Sequence, residues 1–430
     1  MRIRLAFDKT GKEIELPDSV STQVLEPRFA DSLPDEGGAI AAALDHPIGS
    51  PSLTDLARGK KSAAIAVCDI TRPAPNRVVL PHVTAALERG GIPRSGIRIL
   101  IATGLHREAT PAELQEIVGP EMLARYSVDS HRARVEAEQS HLGETKSGTP
   151  VYTDRRMIEA DLHITLGFIE PHLMAGFSGG RKVLSIGLAG EKTIKRLHSP
   201  LFMRDRQATE GSFPDNPLHR ELLEIAAKAR HDFMVDVALT RTRGIAAVFA
   251  GDPLKAHAAG VEFVRETTLA GVDEPADLVI TTSGGYPLDL TFYQAVKGIT
   301  AAAHVVKPGG TILLVAACTE GVGGPEFRGI MRGSTDWKML LRELETKPTV
   351  TVDQWQAEKL AMVAEKAKLA YYVPGVPAED RRNLWGPAYD TPQEAVDALV
   401  AAVPHRGQVV VIPEGPYVFS QLAGTAVAAG

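Results

Sequence analysis

Short apolar runs alternate along this chain with segments whose apolar residues recur at helical spacing. Alternating apolar and polar residues predict strands at 3–7 and 13–16, and short apolar runs predict buried strands at 62–67 and 97–102. Further strands are predicted at 162–166, 235–239, 245–249, 278–281, 311–317 and 409–412. The helical spacing predicts helices at 37–44, 75–88, 111–118, 221–229, 253–265, 291–300 and 356–370. Strands, loops and helices that follow one another in this way are typical of an α/β fold with mostly parallel, doubly wound sheets.

The length of the chain predicts more than one domain. It has 430 residues, which exceeds what a single hydrophobic core usually holds. The strand–helix pattern breaks at 271–275, which reads Gly-Val-Asp-Glu-Pro. We therefore predict two α/β domains, 1–270 and 271–430, with an active-site cleft between them that opens and closes over the substrate.

Composition excludes several classes of partner. The net charge is −6, and the basic residues form no stripe that would favour nucleic acid. No apolar run approaches the roughly 20 residues that a membrane span needs, and the first residues lack the apolar core of a signal peptide. The two cysteines, Cys68 and Cys318, argue against a disulfide scaffold or a cysteine-based metal cluster. The expected compartment is the cytoplasm, without a membrane or nucleic-acid partner.

Two polar segments directly follow predicted strands, where doubly wound folds place their functional residues. The first reads DITRP and contains Asp69 and Arg72. Its arginine could offer a planar fork to a carboxylate while the aspartate orients it, or the pair could be a structural ion pair. The second reads TGLHR, and the sharp turn that Gly104 allows could aim His106 into a crevice. A lone histidine is more often structural, so both readings stay open here.

A glycine-rich segment, EPHLMAGFSGGRK, carries the strongest signal in the chain. Ser178, Gly179 and Gly180 could present successive backbone N–H groups to a phosphate, although the spacing of a Walker loop is missing. An ordinary glycine-rich turn is the alternative. Lys182 follows directly, either as a counter-charge or solvated side chain, or as a nucleophile that anchors a cofactor covalently. Spacing alone does not decide between these roles.

Two further sites, His198 and the pair Gln294 and Lys297, give weaker evidence of function when each is considered alone. His198 follows a predicted helical turn, and a metal site is not indicated by one histidine. Gln294 and Lys297 are three residues apart and share a helix face, which suits either an anionic substrate or plain solvent. Histidine pairs with zinc-protease spacing and CxxC pairs are absent from the sequence.

Taken together and in this order, these segments resemble the nickel-pincer lactate racemases. The joint pattern is DxTRP, TGLHR, PHxxAGFSGGRK, a following histidine, and GGYPLDxxxYQxxK, and it extends from Asp69 to about Gly323. One departure concerns the stretch after Lys182, which reads VLSIG where many relatives carry a Pro-Gly pair. That difference bears on local loop shape more than on the chemistry.

The resemblance implies a role for each of these positions. Family members hold nickel in a modified pyridinium mononucleotide that is joined to a lysine, here Lys182, and made by dedicated biosynthesis enzymes. A histidine completes the nickel coordination, here His198, and Ser178, Gly179 and Gly180 would take the nucleotide phosphate. His106 and His172 resemble the two acid–base histidines. The residues assigned to binding a small 2-hydroxy acid substrate are Asp69, Arg72, Tyr293, Gln294, Lys297 and Trp355.

The implied reaction is racemisation or epimerisation of a 2-hydroxy acid, so the protein would be an isomerase. The C–H bond at C2 is barely acidic, and the resemblance implies that the nickel–pyridinium unit takes the hydrogen as hydride and returns it. Two histidines serve as bases for the hydroxyl proton, one for each enantiomer, and the basic residues hold the carboxylate so that only the C2 group reorients.

Two other functions remain as alternatives. A nicotinamide-dependent 2-hydroxy acid dehydrogenase fits the fold pattern, but no GxGxxG opens a βαβ unit. A non-catalytic phosphometabolite-binding protein needs only the glycine-rich segment and basic residues, and it leaves His106, His172 and His198 unexplained.

Overall fold

The structure is a computed structural model, and it describes residues 1–26, 29–347 and 349–422. Backbone contacts divide the chain into two units, each assembled from separate stretches of sequence. The N-terminal unit comprises 29–197 and 212–267, and the C-terminal unit comprises 1–28, 198–211 and 268–430. This division differs from a single cut at residue 270, because the chain changes unit near that point and also at three earlier ones.

The strands of the described residues are numbered in chain order. They are β1 (Arg2–Leu5), β2 (Lys12–Glu15), β3 (Ser21–Val24), β4 (Ala63–Cys68), β5 (Ile97–Ala102), β6 (Ser127–Ser130), β7 (Gln139–Glu144), β8 (Pro150–Asp154), β9 (Leu162–Phe168), β10 (Pro171–His172), β11 (Gly176–Phe177), β12 (Phe233–Leu239), β13 (Ile245–Gly251), β14 (Leu269–Val272), β15 (Ala276–Thr282), β16 (Val306–Val315), β17 (Lys368–Tyr372), β18 (Gln408–Ile412) and β19 (Phe419–Leu422).

The α-helices of the described residues are numbered in the same way. They are α1 (Glu36–Asp45), α2 (Leu53–Ala57), α3 (Asn76–Arg89), α4 (Pro111–Val118), α5 (Pro120–Arg125), α6 (Arg155–Ile158), α7 (Arg181–Ser185), α8 (Glu191–Leu197), α9 (Pro200–Met203), α10 (Pro217–Ala229), α11 (Pro253–Thr268), α12 (Phe292–Ala302), α13 (Pro325–Gly333), α14 (Trp337–Thr346), α15 (Gln354–Lys366), α16 (Ala378–Arg381) and α17 (Pro392–Val400).

The N-terminal unit is built on a six-stranded sheet in the order β13-β12-β9-β4-β5-β6. All neighbouring pairs are parallel except β12 and β13, which are antiparallel. Every residue of β9 is buried, as are all residues of β4 except the last. Continuous apolar runs of this kind are typical of parallel strands with both faces covered, which is why they were readable in the sequence.

The C-terminal unit is built on a five-stranded, fully parallel sheet in the order β17-β16-β15-β18-β3. Its edge strand β3 comes from the first residues of the chain and pairs with β18. Apolar residues of the same N-terminal stretch, including Leu5 and Ile14, pack in one cluster with residues of β15 and β16. Pairing and packing together explain why the N-terminus groups with the second half of the sequence.

Local signals predicted several elements accurately. Strand β5 has the predicted bounds 97–102, and α4 begins after Thr110 with a capping box that includes Glu113. The helix predicted at 356–370 was wrong at its end, since α15 stops at Lys366 and β17 begins at Lys368. Residues of β17 pair with β16, so a tertiary contact overrides the helical spacing there.

Among the described residues, no helix is both long enough and apolar enough to cross a membrane.

Candidate active site

Three loops of the N-terminal unit begin at the same edge of its sheet. Strands β4, β5 and β9 are adjacent and parallel, and they end at Cys68, Ala102 and Phe168. The carboxyl ends of parallel strands meet at one edge, and ligands of doubly wound folds bind there. The segments that carry Asp69, His106 and the glycine-rich loop therefore start side by side.

Asp69 and His106 form a hydrogen-bonded pair. The Nδ1 atom of His106 lies 2.7 Å from Oδ2 of Asp69, and the Thr71 hydroxyl donates to Oδ1 at 2.6 Å. The carboxylate is buried, whereas half of the histidine side chain is exposed. Burial by itself raises the pKa of Asp69, but hydrogen bonds and charges from His106, Arg72 and Thr71 outweigh it and lower that pKa. An ionised Asp69 keeps the His106 proton on Nδ1 and leaves Nε2 as the accepting nitrogen.

This contact changes the role that the sequence predicted for Asp69. The prediction assigned Asp69 to substrate binding, whereas its described hydrogen bonds go to His106 and Thr71. Arg72 is half-buried beside them, and its Nη1 donates to the carbonyl oxygen and the hydroxyl of Thr71 at 3.2 and 3.3 Å.

His172 lies in a tight hairpin formed by β10 and β11, which follows β9. Its Nδ1 atom accepts hydrogen bonds from the backbone N–H groups of Met174 at 3.3 Å and Ala175 at 3.1 Å. Gly176, with φ +75°, closes the turn, and a Cβ there would lie 2.0 Å from the carbonyl oxygen of Ser212. The hairpin thus requires glycine at that position and holds the imidazole of His172 in one orientation.

The glycine-rich loop uses several of its polar groups internally. The backbone N–H of Ser178 donates to the carbonyl oxygen of Glu170, and its hydroxyl donates to Phe168 O at 2.8 Å and accepts from Glu170 N–H at 2.9 Å. The backbone N–H of Gly180 donates to Oδ2 of Asp236 at 2.7 Å. The expectation that three successive N–H groups would face a phosphate does not hold for Ser178 and Gly180.

Beneath this loop lie two buried charged residues that the sequence analysis missed. Asp236 is fully buried in β12, and burial raises its pKa to about 7. The Arg181 guanidinium is buried as well and donates to the carbonyl oxygens of Ala175 and Phe177, both at 3.0 Å. One signal was available, because an aspartate interrupts the apolar run of β12. A charge inside a buried strand usually has a specific partner.

Lys182 is the second residue of α7, directly after the loop, and it is half-buried. Burial lowers the pKa of Lys182 to about 8, and the positive charge of Arg72 adds to this, while Cys68 and Glu170 act in the opposite direction. A larger fraction of this amine is neutral near neutral pH than for an exposed lysine, which has a pKa of about 10.4. A neutral amine is the nucleophilic form, so this environment fits a covalent anchor.

The remaining predicted residues belong to the C-terminal unit. Tyr293, Gln294 and Lys297 lie in α12, which follows the carboxyl end of β15 and begins after Thr291, whose hydroxyl accepts from Gln294 N–H. The side-chain oxygen of Gln294 is buried and has no hydrogen-bond partner among the described residues. A buried acceptor without a hydrogen-bond partner lowers the stability of the fold, and a bound ligand that donates to this oxygen would remove that cost.

His198 and Trp355 are in ring contact within this unit. Their ring centroids are 4.5 Å apart, and the Trp355 indole N–H donates to the Tyr293 hydroxyl at 3.1 Å. The predicted nickel ligand and two predicted substrate residues are therefore neighbours. Within residues 1–26, 29–347 and 349–422, no three His, Cys, Asp or Glu side chains are grouped closely enough to hold a metal ion.

Comparisons with known proteins identify the family of this chain. The family model of the lactate racemase N-terminal domain matches residues 7–211, and that of the lactate racemase C-terminal domain matches 272–419. The lactate racemase of Thermoanaerobacterium thermosaccharolyticum is 34% identical over 96% of this chain and 97% of its own length. The lactate racemase of Lactiplantibacillus plantarum is 36% identical over 88% of this chain and 90% of its own length.

Solved structures give the same result for the fold. The lactate racemase apoprotein from T. thermosaccharolyticum superposes with a TM-score of 0.92 at 32% identity, covering 98% of this chain and all of that one. A Thermotoga maritima protein superposes with a TM-score of 0.68 at 16% identity over 92% of this chain and all of its own, which shows a shared fold alone. Both halves match racemase domain families and the identity extends over nearly the whole length, so this chain belongs to the lactate racemase family of isomerases.

Proposed function

We propose that this protein interconverts the two enantiomers of lactate or of a closely related 2-hydroxy acid. The observation that carries the proposal is the Asp69–His106 pair beside Arg72, at the carboxyl edge of a sheet in a member of the lactate racemase family. Two relatives with at least 34% identity are named lactate racemases. Larger 2-hydroxy acids belong to the same proposal, because fold does not fix the substrate.

His106 is the proposed proton acceptor for the substrate hydroxyl. Asp69 binds Nδ1 of the ring, so the free lone pair is on Nε2, and the cation that forms on proton uptake is stabilised by the adjacent carboxylate. Arg72 can hold the substrate carboxylate through its planar guanidinium. Gln294, Lys297, Tyr293 and Trp355 are the proposed substrate-binding residues of the C-terminal unit, and His172 is the second histidine proposed to face the hydroxyl.

The proposed cofactor is the nickel-pincer nucleotide of the family, joined to the chain through Lys182. When it is bound, it would supply a reversible acceptor for the hydride from C2. The lowered pKa of Lys182 fits the amine that forms the bond to it, and His198, packed against Trp355, would provide the one protein ligand to nickel. The backbone N–H groups of Ser178 and Gly180 are already bonded within the protein, so they do not face a phosphate. We therefore propose that the main role of the loop backbone is to position Lys182.

Enzymes that make the cofactor are the proposed maturation partners. Protein prepared together with them is therefore the right sample for a test. Intact mass should show an adduct that Lys182→Arg abolishes, because a guanidinium remains protonated and is not a nucleophile. Lys192→Arg is the matched control, since Lys192 is exposed and pairs with Glu136.

The deciding experiment is a chiral assay on cofactor-loaded protein. We expect D- and L-lactate each to be converted towards an equal mixture without added nicotinamide cofactor, and we expect nickel to copurify. Conversion that depends on a nicotinamide cofactor would favour a dehydrogenase instead. Absence of turnover on lactate and on a panel of other 2-hydroxy acids, with adduct and nickel present, would refute the proposal.

A further inference from the structure

A buried histidine outside the candidate site has hydrogen-bond acceptors at both of its ring nitrogens. His131 directly follows β6, and its side chain is fully buried. Its Nδ1 atom lies 2.8 Å from Oδ2 of Asp154, and its Nε2 atom lies 2.9 Å from the carbonyl oxygen of Ala189. A carbonyl oxygen and an ionised carboxylate can only accept, so both nitrogens must carry a proton to use these contacts. The geometry therefore describes an imidazolium cation.

The charged groups around this ring are compatible with a cation there. Arg156 donates to both carboxylate oxygens of Asp154, at 2.9 and 2.6 Å. Burial by itself raises the pKa of Asp154, but hydrogen bonds and charges from Arg156 and His131 outweigh it and lower that pKa to about 2. Asp129 lies 4.0 Å from Arg156, and the negative charge of Glu138 acts on Arg156 as well. Nearby carboxylates thus compensate both positive charges.

The backbone of His131 holds the turn that carries His106. The Thr103 hydroxyl donates to the carbonyl oxygen of His131 at 2.7 Å, and the N–H of His131 donates to the carbonyl oxygen of Ile101 at 3.0 Å. The N–H of His106 donates in turn to the carbonyl oxygen of Thr103 at 2.9 Å. The position of residue 131 is therefore transmitted to His106 through two hydrogen bonds and one buried side chain.

The ring of His131 holds the segment that follows the Lys182 helix. Its Nε2 contact is with Ala189, two residues after Gly187. The N–H of Gly187 donates to the carbonyl oxygen of Lys182 at 3.2 Å, and the carbonyl oxygen of Gly187 accepts from Gly104 N–H at 2.9 Å. The turn of His106 and the backbone behind Lys182 are therefore joined both directly and through the buried ring.

We infer that His131 is a buried imidazolium that positions the candidate site, because its two N–H groups join Asp154 to the segment behind Lys182. It acts through backbone contacts and not on the substrate, so it is a positioning residue. Loss of one ring proton would turn a nitrogen lone pair towards an acceptor, which removes a hydrogen bond and adds repulsion. The catalytic part of this inference rests on the proposed function, whereas the charge of the ring does not.

The first test observes the ring protons of His131 in the cofactor-free protein. Ring-¹⁵N-labelled histidines are studied by long-range proton–nitrogen correlation near neutral pH. The signals of His131 are assigned by their loss in H131Q, or by their displacement in D154N if H131Q does not fold. We expect both nitrogens to be protonated. A bare nitrogen at either ring position would overturn the inference.

His163 provides a matched control at the opposite edge of the same sheet. It is 1% exposed, as is His131, and its two ring nitrogens lie 2.6 and 3.0 Å from the carbonyl oxygens of Arg230 and Ala160. It is the second residue of β9, near the amino end of that strand, whereas His131 follows the carboxyl end of β6. Both histidine-to-glutamine variants should lower the thermal midpoint, but only His131→Gln should disturb the candidate site.

The second test compares H131Q with H163Q in the cofactor-free protein. In H131Q the ring ¹⁵N signals of His106 should shift, and hydrogen exchange across 103–106 and 187–190 should become faster. In H163Q both should stay as in wild type. Unchanged His106 signals in H131Q, or equal changes in the two variants, would show that residue 131 contributes only to general stability and would refute the positioning role.

The third test measures racemisation by loaded protein in which the adduct and nickel are present. H131Q should lose on the order of tenfold to 10²-fold in kcat, as expected for catalytic groups that are held out of place. H163Q should keep a rate close to that of wild type, and equal losses in the two variants would contradict the inference. If loaded wild-type protein turns over no 2-hydroxy acid, the proposed function fails, while the nitrogen spectra still decide the charge of His131.

Discussion

At the scale of single residues, the geometry around Asp69 gives the candidate site its chemistry. The buried carboxylate of Asp69, which has a lowered pKa, is hydrogen-bonded to the half-exposed imidazole of His106. The Nδ1 atom of His106 is therefore occupied by Asp69, and Nε2 is the nitrogen that can bind a substrate. Sequence proximity grouped Asp69 with Arg72, which is three positions further along the same segment. Only the fold brings His106 to it, from the end of a neighbouring strand.

Substituting Asp69 tests this pair. Asp69→Asn removes the charge that stabilises a protonated His106 and offers an amide donor to the same nitrogen, so we expect racemisation by loaded protein to fall on the order of 10²-fold or more. Thr71→Val is the matched control, because it removes a hydrogen bond to the other carboxylate oxygen and leaves the His106 contact in place. Equal losses in both variants would contradict a specific role for the pair.

Asp236 predicts a pH-dependent stability. Its pKa is raised to about 7 in the folded protein, from about 3.9 in an unfolded chain. As pH rises from about 4 to 7, the unfolded state releases this proton before the folded state does, so the free energy of unfolding falls across that range. In Asp236→Asn the side-chain oxygen can still accept from Gly180 N–H, but the group does not titrate. The free energy of unfolding of the variant minus that of wild type should therefore increase by about 2–3 kcal/mol when the pH is raised from 5 to 8.

Urea unfolding of both proteins at the two pH values measures this difference. Gly167 N–H, Gly180 N–H and the Arg181 charge face the same carboxyl group and oppose the effect of burial. A stability difference that does not change with pH would mean that these groups hold Asp236 ionised throughout.

At the scale of elements, helix α15 holds the segment that carries His198. Lys359 is buried and its amine donates to the carbonyl oxygens of Met203 at 2.7 Å and Ala208 at 2.8 Å. Glu358 is fully buried beside it and accepts from Arg204 at 2.9 Å. These polar contacts tie residues 198–211 to the unit in which they lie, although their sequence neighbours belong to the other unit.

Lys359→Met should loosen this segment. The variant leaves two carbonyl oxygens without their donor, which costs about 1–3 kcal/mol for each buried group. We expect faster hydrogen exchange across 199–211 in the cofactor-free protein, measured by mass spectrometry. Lys366→Met is the control on the same helix, because its amine donates to Ala303 instead. Unchanged exchange in Lys359→Met, or equal increases in both, would argue against this clamp.

The turn before α7 needs a glycine at position 179, and the cost of replacing it can be compared with that of replacing Gly148, which has a similar φ. Gly179 has φ +80°, and a Cβ there would lie 2.2 Å from Oδ2 of Asp236. Gly148 has φ +78° and open space around its Cβ position. Both substitutions by alanine carry the cost of a left-handed residue, about 1–2 kcal/mol, but only Gly179→Ala adds overpacking of roughly 1–3 kcal/mol. Thermal unfolding of the two variants should separate these costs, and equal losses would contradict the predicted clash.

At the scale of the whole molecule, the N-terminal stretch completes the second half of the chain. Strand β3 pairs with β18, and Leu5 and Ile14 share an apolar cluster with strands β15 and β16. A fragment of residues 271–430, cut at the boundary that the sequence suggested, leaves this strand edge open and part of that cluster exposed.

We expect that fragment to lack a cooperative thermal transition by circular dichroism. Co-expression with a peptide of residues 1–26 should restore the transition, because the peptide supplies the missing edge strand and the missing apolar side chains. A scrambled peptide of the same composition is the control. Cooperative unfolding of 271–430 alone would show that the N-terminal stretch is dispensable.

Many of the strands and helices could be predicted from the sequence because their signals are local. Strand β5 and helix α4 have local signals, an apolar run and a capping box, that no distant contact overrides. The predicted helix at 356–370 extended over the first three residues of β17, because the pairing of that strand with β16 is a distant contact. The site residues were named from motifs and a family resemblance. Asp236 was not named, although an aspartate inside an apolar run marked it, and the partners of Ser178 were not named because the sequence does not show which distant groups a hydrogen bond joins.

The linear order of residues therefore specified the α/β class, the candidate chemistry and the family, since those depend on periodicity and on motifs that are contiguous. Folding decided which of these residues meet: Asp69 with His106, Asp236 with the glycine-rich loop, and His198 with Trp355. The physical reason is that a tautomer or a pKa depends on what lies within hydrogen-bond distance, and those neighbours come from strands and helices far apart in the chain.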